Sequence, residues 1–270
     1  MPEAYRFALV TGASSGIGAA FARALPESTH LLLTGRDEAR LGVLAEELAV
    51  GARVVEVFRA DLAERADREA LIARAEALEI DMLINNAGMG QFGPVLDNDP
   101  DGEVATVSVN CAAPVDLAVH LLPGMLARAR YGGTRAGLLN VSSTFAVQPV
   151  PHVATYSASK AFLLSWSEAL SVELAREPID VLALCPGATR TDMARRAGLR
   201  AEIPCRADPD DVAREGLAHL GHGPVHVVGG VSRTALAPYF LPRRLASGGL
   251  GAVMGVASRV AGRRRGGRLS

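Results

Sequence analysis

Short runs of apolar residues alternate along the chain with longer stretches in which apolar residues recur every three or four positions. The apolar runs predict strands at residues 7–10, 31–34, 54–58, 82–85, 138–141, 181–185 and 225–228. The stretches between them, such as 40–49, 67–78 and 211–220, predict amphipathic helices. This alternation predicts an α/β fold, a single Rossmann-type, doubly wound parallel sheet of about seven strands with helices on both faces.

Two central segments, 104–129 and 155–176, are longer and predict long helices. No linker or repeat interrupts the chain before residue 240, so we expect one catalytic domain over residues 1–240. Its cofactor half covers about 1–140, and its catalytic and substrate half covers about 141–240. Residues 241–270 are rich in Gly, Ala and Arg, and predict a C-terminal helical extension followed by a basic tail.

The composition excludes several classes of protein. The chain has 270 residues, 49% of them hydrophobic, and a net charge of -1, so a large core forms without the basic excess that nucleic-acid binding needs. Its three cysteines have no metal-ligand spacing, and we expect free thiols and no metal. The chain begins without a signal-like segment, and no apolar run reaches the ~18 residues of a membrane span. We therefore expect a cytoplasmic protein without a transmembrane segment.

A glycine-rich turn follows the first predicted strand and opens the first helix. It reads Thr11-Gly-Ala-Ser-Ser-Gly-Ile-Gly18, and its glycines let the backbone approach a pyrophosphate at the helix N-terminus. A glycine turn without a ligand is one alternative. Another is the nucleophile elbow of a serine hydrolase using Ser14, because residues 12–16 also match G-x-S-x-G. Only eleven residues precede Gly12, too few for the strands and oxyanion loop that a hydrolase would need.

The end of the second predicted strand bears on the choice of cofactor. An NAD-binding domain usually presents an acid to the ribose there, whereas this chain has Gly35 followed by Arg36. A guanidinium at that place suits a 2′-phosphate and predicts NADP(H). The alternative is a solvated Arg36, with Asp37 on the ribose and NAD(H) as cofactor.

Tyr156 and Lys160 begin a predicted helix and are four residues apart, so they share one helix face. A nearby cation is expected to lower the high pKa of a phenol and so permit proton exchange. Lys160 is the only lysine of the chain, among 28 basic residues. Ser142 and Ser143 follow the fifth predicted strand, at the sheet edge where such folds bind ligands.

Over about residues 5–230, these motifs and their order resemble the short-chain dehydrogenase/reductase family. Besides the glycine turn, Asp61-Leu62 resembles the family's adenine-binding pair, and residues 85–88 its Asn-Asn-Ala-Gly motif. The resemblance implies cofactor contacts from Gly12, Ser14, Ser15, Gly16, Ile17, Gly18, Arg36, Asp61, Leu62, Asn85, Ala87, Gly88, Tyr156, Lys160, Pro186, Gly187 and Thr191.

The resemblance also implies a mechanism for an NADP(H)-dependent oxidoreductase that interconverts a carbonyl and an alcohol. Tyr156 exchanges the proton at the substrate oxygen and Ser143, thirteen residues earlier, holds that oxygen. Lys160 lowers the phenol pKa and contacts the nicotinamide ribose, and Asn110 supports a water-linked proton relay. The family further implies a homodimer or homotetramer, although residues 225–233 depart from the common tetramer-forming end. They are more similar to reductases of apolar or acyl-chain carbonyls, which predicts a ketone reductase of that kind.

The substrate is expected between the loops that follow the strands. Apolar residues of these loops, among them Phe92, Phe145, Val153 and Met193, are predicted to line its pocket, with ordinary core packing as the alternative. The third loop also carries Arg190, Arg195, Arg196 and Arg200, which either meet a phosphate-bearing acyl carrier or form a solvated helix face. A second class of function stays open, a non-catalytic protein that senses NADP(H), although an intact Tyr–Lys pair favours an enzyme.

Overall fold

The computed structural model describes residues 5–198 and 206–229. It contains one sheet of parallel strands in the order β3-β2-β1-β4-β5-β6-β7. The strands are β1 (Phe7–Thr11), β2 (His30–Gly35), β3 (Val55–Arg59), β4 (Met82–Asn85), β5 (Ala136–Val141), β6 (Ile179–Cys185) and β7 (Val225–Val227). The seven predicted strands are confirmed, with ends that shift by at most two residues.

The helices cover both faces of this sheet, as predicted. They are α1 (Gly16–Ala24), α2 (Glu38–Leu48), α3 (Arg65–Ala77), α4 (Pro100–Val107), α5 (Ala113–Gly132), α6 (Ala154–Glu173), α7 (Met193–Arg196) and α8 (Pro209–His219). The chain leaves β1 outward through β2 and β3, then returns to place β4 on the other side of β1. The carboxyl ends of β1 and β4 therefore flank the crevice in which a doubly wound sheet binds its ligand.

Alternate residues of the central strands form two separate cores, because successive side chains of a strand point to opposite faces. On one face, strand residues such as Val10, Ile84 and Leu182 pack with Phe21 of α1 and Val212 of α8. On the other, neighbours in the same strands pack against α3 and α5, among them Leu9, Leu83, Val181, Leu71 and Leu117. Burial on both faces explains why the central strands are continuous apolar runs.

The long helix predicted over 104–129 is not regular, and the prediction is corrected here. A π-helical turn, Ser108–Ala112, joins α4 to α5. Pro114 has no N–H to donate to the carbonyl of Asn110, four residues earlier, and its ring displaces that carbonyl from ordinary helical geometry. π-Helical turns of this kind occur frequently at functional sites. The turn contains Asn110, whose side chain belongs to the site described below.

One helical segment, from Pro100 to Gly132, is long and apolar enough to cross a membrane, which the search for uninterrupted apolar runs did not predict. Its second part, α5, buries Leu117, Leu121 and Met125 in the core, and a core helix passes the same test of length and composition. The segment is therefore weak evidence for a membrane span. The predicted C-terminal helical extension and basic tail, residues 241–270, lie outside the described residues.

Candidate active site

The predicted cofactor turn lies at the carboxyl end of β1, and three of its glycines are required by the space around them. A Cβ on Gly12, whose φ is +66°, would lie 2.9 Å from the Cα of Ala87. A Cβ on Gly18 would lie 2.3 Å from the carbonyl oxygen of Gly12, and one on Gly16 would lie 2.8 Å from the Thr191 methyl group. The turn thus packs against two other predicted cofactor segments.

Thr11 and Asn86 join the ends of β1 and β4 at the crevice. The Thr11 hydroxyl accepts hydrogen bonds from the backbone N–H groups of Asn86 (2.9 Å) and Ala87 (3.0 Å), and donates to the carbonyl of Ile84. The Asn86 amide donates to the carbonyl of Thr11 at 2.9 Å. Asn86 belongs to the Asn-Asn-Ala-Gly motif that resembles the family's, but it was not among the predicted cofactor contacts, although an asparagine directly after a buried strand end was a usable signal.

The N-terminus of α1 differs from those of three other helices, α2, α4 and α8. The N-cap residues that precede helices α2, α4 and α8 are Asp37, Asp99 and Asp208. Each carboxylate accepts a hydrogen bond from a backbone N–H of its helix. The N-cap of α1 is Ser15, whose side chain forms no such bond, and the first turn of the helix has no acidic residue. Its first N–H groups and the positive end of its dipole are therefore free for an anion. The glycine cradle and this helix end together fit a pyrophosphate.

The two candidate residues for the ribose end of the cofactor have different surroundings. Asp37 caps α2 by accepting from the N–H of Arg40 at 3.1 Å, and it also forms an ion pair with the Arg40 guanidinium. Arg36 is 62% exposed and has only a long contact, 3.8 Å, with Asp61. The hydroxyl of Ser14 lies close to Gly35, immediately before Arg36. Asp61 and Leu62 were predicted together to bind the adenine; Leu62, next to Asp61 in the chain, is buried in the core.

Asn85 lies deeper than a cofactor contact requires. It is 3% exposed, and its amide donates to the side chain of Asn140 at 2.9 Å. Asn140 donates in turn to the hydroxyl of Ser167 in α6. This buried polar chain joins β4, β5 and α6, so Asn85 supports the sheet rather than facing the crevice. Ala87 and Gly88, which follow it, do lie at the crevice, against Gly12 and Lys160.

Ser143, Tyr156 and Lys160 converge at the end of β5, where α6 starts. Tyr156 is partly buried, and its edge meets the Phe145 ring at a centroid distance of 6.5 Å. Lys160 is buried, with its ammonium 5.9 Å from the centre of the Tyr156 ring, and donates to the carbonyl of Val141 at 2.8 Å. Ser142 donates to the backbone of Lys160 instead of facing Tyr156, which favours Ser143 as the site hydroxyl.

The electrostatics of this pair differ from the sequence-based expectation. Burial raises the pKa of the Tyr156 phenol, and the hydrogen bond with Ser143 only partly offsets this. Burial also lowers the pKa of Lys160 to about 8. The expected lowering of the phenol pKa by Lys160 is therefore not found in this structure, where burial has the largest effect on that pKa. A phenol with a raised pKa stays protonated at neutral pH.

Asn110 is completely buried and binds the backbone of Met89 with both ends of its amide. Its oxygen accepts from the N–H of Met89 at 2.9 Å, and its nitrogen donates to the carbonyl of Met89 at 2.8 Å. The same nitrogen donates to the hydroxyl of Ser159 in α6. In this structure Asn110 fixes the segment after β4 relative to α6. The relay implied by the family resemblance remains a prediction.

That segment lies directly on the Tyr–Lys pair. A Cβ on Gly88 would lie 3.2 Å from the ammonium of Lys160, and one on Gly90 would lie 2.8 Å from the Tyr156 ring. Gly88 belonged to the predicted cofactor motif, whereas Gly90 was not singled out from the sequence. Its role depends on a contact between residues far apart in the chain, which no local pattern reveals.

Three loops carry the residues predicted to bind substrate, and they bond to one another. The N–H of Phe92 donates to Ala197 at 2.7 Å, and the N–H of Gly93 donates to His152 at 2.8 Å. The loop that begins with Pro186 and Gly187 is held through Thr144, whose N–H donates to Pro186. Phe145 contacts Tyr156, Val153 is buried at the start of α6, and Met193 begins α7. The loops thus surround the Tyr156 region.

Three arginines of the third loop form ion pairs with nearby acids. Arg190 forms an ion pair with Asp208, and Arg195 and Arg196 form ion pairs with Asp192. These pairs agree with a solvated helix face and give no support to an open phosphate site. Arg200 lies outside the described residues. Within residues 5–198 and 206–229, no group of three or more His, Cys, Asp or Glu side chains is arranged to hold a metal ion.

Comparison with known proteins matches this sequence and fold to a family of oxidoreductases. The sequence profile of the short chain dehydrogenase family matches residues 6–201. The chain belongs to this family, and its confirmed fold and ordered motifs agree with that assignment. Membership also removes the hydrolase interpretation of Ser14, which lies in the cofactor turn of β1.

Individual relatives show how close the similarity is. A very-long-chain 3-oxoacyl-CoA reductase from Neurospora crassa is 33% identical over 223 residues, which are 80% of this chain and 64% of that protein. A short-chain dehydrogenase from Sphingobium yanoikuyae, solved with NADPH, superposes with a TM-score of 0.75 at 32% identity, covering 88% of this chain and 92% of that one. A 3-ketoacyl-(acyl-carrier-protein) reductase from Brucella melitensis, solved with NADH, has a TM-score of 0.74 at 28% identity, covering 84% and 98%.

Proposed function

We propose that this oxidoreductase is an NADP(H)-dependent ketone reductase that acts on an apolar or acyl-chain substrate. The observation that carries the proposal is the convergence of the Ser143 and Tyr156 hydroxyls with buried Lys160, beside a glycine cradle that fits a dinucleotide. The bound nicotinamide would supply or accept a hydride.

The side chains divide the remaining work. Ser143 donates a hydrogen bond that orients the substrate carbonyl oxygen, and Tyr156 donates the proton to that oxygen. Because burial raises the phenol pKa, Tyr156 is protonated at neutral pH, which suits reduction of a carbonyl. Lys160 places a positive charge beneath the ring, and Asn110 holds Met89 so that the flanking glycines stay packed on Tyr156 and Lys160.

The preference for NADP(H) over NAD(H) rests on Arg36 and Asp37. Asp37 is occupied as the cap of α2, so presenting it to a ribose would cost the helix about 1 kcal/mol. Arg36 is exposed, with only a 3.8 Å contact to Asp61, and can meet a 2′-phosphate. Calorimetric titration should show tighter binding of NADPH than of NADH. Arg36→Leu should weaken NADPH binding about tenfold and leave NADH binding unchanged, and an equal loss for both would contradict this assignment.

The acyl-chain substrate class is supported by the apolar residues around Tyr156 and by the similarity to 3-oxoacyl reductases. The test is NADPH oxidation with a series of ketones and 3-oxoacyl thioesters of increasing chain length. Tyr156→Phe should lower kcat about a thousandfold while NADPH affinity is retained. Tyr131→Phe is the matched control, because Tyr131 is 97% exposed on α5. Wild-type protein that binds NADPH but reduces none of these substrates would favour the sensor alternative.

We also propose a homodimer or homotetramer in the cytoplasm, built on a single catalytic domain over residues 1–240. Apolar side chains are exposed on α4 and α6, at Val104, Val107, Phe162 and Val172. Such surface suits a second copy of the chain. Light scattering after gel filtration should give a mass of two or four chains, and Phe162→Glu should shift it toward one.

A further inference from the structure

The loop that carries Asp61 and Leu62 has a support that is separate from the cofactor crevice. Arg68, on the first turn of α3, is 9% exposed. Its guanidinium donates to the carbonyls of Leu62 (2.9 Å) and Ala63 (3.1 Å). These carbonyls belong to the backbone between β3 and α3, so the guanidinium fixes the course of the loop from beneath.

Arg68 is itself held by a partner on another helix. Its Nε donates to the carboxylate of Asp116 in α5 at 2.8 Å, and the side chains of this pair are only 10% and 25% exposed. A charge-assisted bond of low exposure is screened less by solvent than a surface pair. The loop is therefore attached through Arg68 to α5, a long helix of the core.

A second acid completes the support. Asp67 accepts from the backbone N–H of Asp61 at 2.7 Å, and Asp61 accepts from the N–H of Ala63 at 3.1 Å. The carbonyls of Asp61, Leu62 and Ala63 and the N–H groups of Asp61 and Ala63 are thus held by the protein itself. Arg65, three residues before Arg68 on the same helix, makes a surface pair with Glu69 at 82% exposure and contacts nothing in the loop.

We propose that Arg68, held by Asp116, is a positioning residue for the adenine half of the cofactor. It holds the Asp61–Leu62 backbone in the shape that receives the adenine, without touching the cofactor. This inference rests on the proposed NADP(H) function. Pre-ordering the loop means that the dinucleotide does not have to order it on binding, which strengthens affinity for that half of the ligand.

The test separates the two halves of the cofactor. Binding of 2′,5′-ADP, which has the adenine, and of reduced nicotinamide mononucleotide, which lacks it, is measured by calorimetry well below the melting temperature. Arg68→Met should weaken 2′,5′-ADP binding about tenfold and leave the mononucleotide unchanged, with kcat at saturating NADPH kept within about twofold. Arg65→Met, the matched control, should change neither affinity.

Asp116→Asn is the second variant, because it keeps an acceptor for Arg68 and removes only the charge. It should weaken 2′,5′-ADP binding about threefold, in the same direction. Folded Arg68→Met or Asp116→Asn protein with wild-type affinity for 2′,5′-ADP overturns the inference alone, as does an equal loss for both fragments. Wild-type protein that binds neither 2′,5′-ADP nor NADPH overturns the proposed function as well.

Discussion

The two sides of the crevice are built differently. On the cofactor side, β1 and β4 end in short turns that the Thr11 and Asn86 side chains bind, and glycines pack without space for a Cβ. On the substrate side, longer loops join one another through backbone hydrogen bonds. His152 there has a left-handed φ of +68°, and its Nδ1 and the Gln148 side-chain oxygen are buried without hydrogen-bond partners.

This difference indicates where the molecule is rigid and where it can adapt. Buried side-chain oxygens without a partner occur on the cofactor side as well, at Thr34 and Asn85, so the difference lies in the packing. Glycines packed without space for a Cβ leave one arrangement for the turn that would hold a dinucleotide. The left-handed backbone of His152 makes the present loop arrangement on the substrate side less favourable, so a different arrangement costs less there. A cofactor common to many reactions suits the first region, and a variable substrate suits the second.

The largest effect is expected from a methyl group added on the cofactor side. Gly18→Ala places a Cβ 2.3 Å from the carbonyl oxygen of Gly12 and 2.5 Å from the Asn86 amide nitrogen, which is itself hydrogen-bonded to Thr11, so relief is difficult. We expect a loss of roughly 3 kcal/mol in the free energy of unfolding and no measurable NADPH binding. Urea denaturation and calorimetry measure both quantities.

Gly42→Ala is its control, because a Cβ there meets nothing within 4 Å. As a helical glycine it should gain stability from the substitution. If Gly18→Ala behaved like Gly42→Ala, the cofactor side would not be the rigid region described above.

The next largest effect, on kcat, is expected from a substitution at Gly90, which packs against the Tyr156 ring between the cofactor and substrate sides of the crevice. In Gly90→Ala a Cβ 2.8 Å from the Tyr156 ring displaces the phenol from the substrate oxygen. We expect kcat to fall about a hundredfold, while NADPH affinity stays unchanged. Steady-state kinetics and calorimetry test this split, and a parallel loss of NADPH affinity would show that Gly90 belongs to the cofactor side.

The difference in free energy of unfolding between wild type and Lys160→Met is expected to depend on pH. Its pKa falls from 10.5 to about 8 on folding, so between these values the unfolded chain binds more protons. The stability of wild type relative to Lys160→Met should therefore rise with pH, by about 2 kcal/mol between pH 7.5 and 9.5. Below pH 7.5 the difference should be constant. Urea denaturation of both proteins measures it, and a flat difference up to pH 9.5 would contradict the burial of a charged lysine.

The smallest effect is expected on the substrate side, where a substitution should raise the free energy of unfolding, unlike the glycine substitution on the cofactor side. His152→Gly removes the cost of a left-handed φ and a buried unpaired nitrogen, and should raise the free energy of unfolding by about 1 kcal/mol. His222→Gly, at an exposed loop position that has no positive φ, should not stabilise the protein. Destabilisation by His152→Gly would show that the loop is as closely fitted as the cofactor turn.

The strands, the glycine turn and the placing of Tyr156 and Lys160 on one helix face could be predicted from local sequence patterns. Strands buried on both faces are apolar runs, so their number and limits could be predicted. The glycine spacing of the first turn and the four-residue spacing of Tyr156 and Lys160 are local geometry, and both lie at the crevice as expected. The strand end suggested Ser142 or Ser143, and the family resemblance selected Ser143 and added Asn110, which no spacing on one element supplies.

Contacts between distant segments were decided only by the tertiary structure. The interruption of the long helix at Asn110 had a local cause in Pro114, yet the binding of Asn110 to Met89 depends on how α5 meets the end of β4. The tight fit of Gly90 on Tyr156, the burial of Asn85 and the support of the adenine loop by Arg68 likewise join residues far apart in sequence. The raised pKa of Tyr156 belongs with them, because it is set by the burial and hydrogen bonding that packing creates. Sequence patterns report periodicity and local geometry, whereas such contacts exist only after the sheet has brought distant segments together.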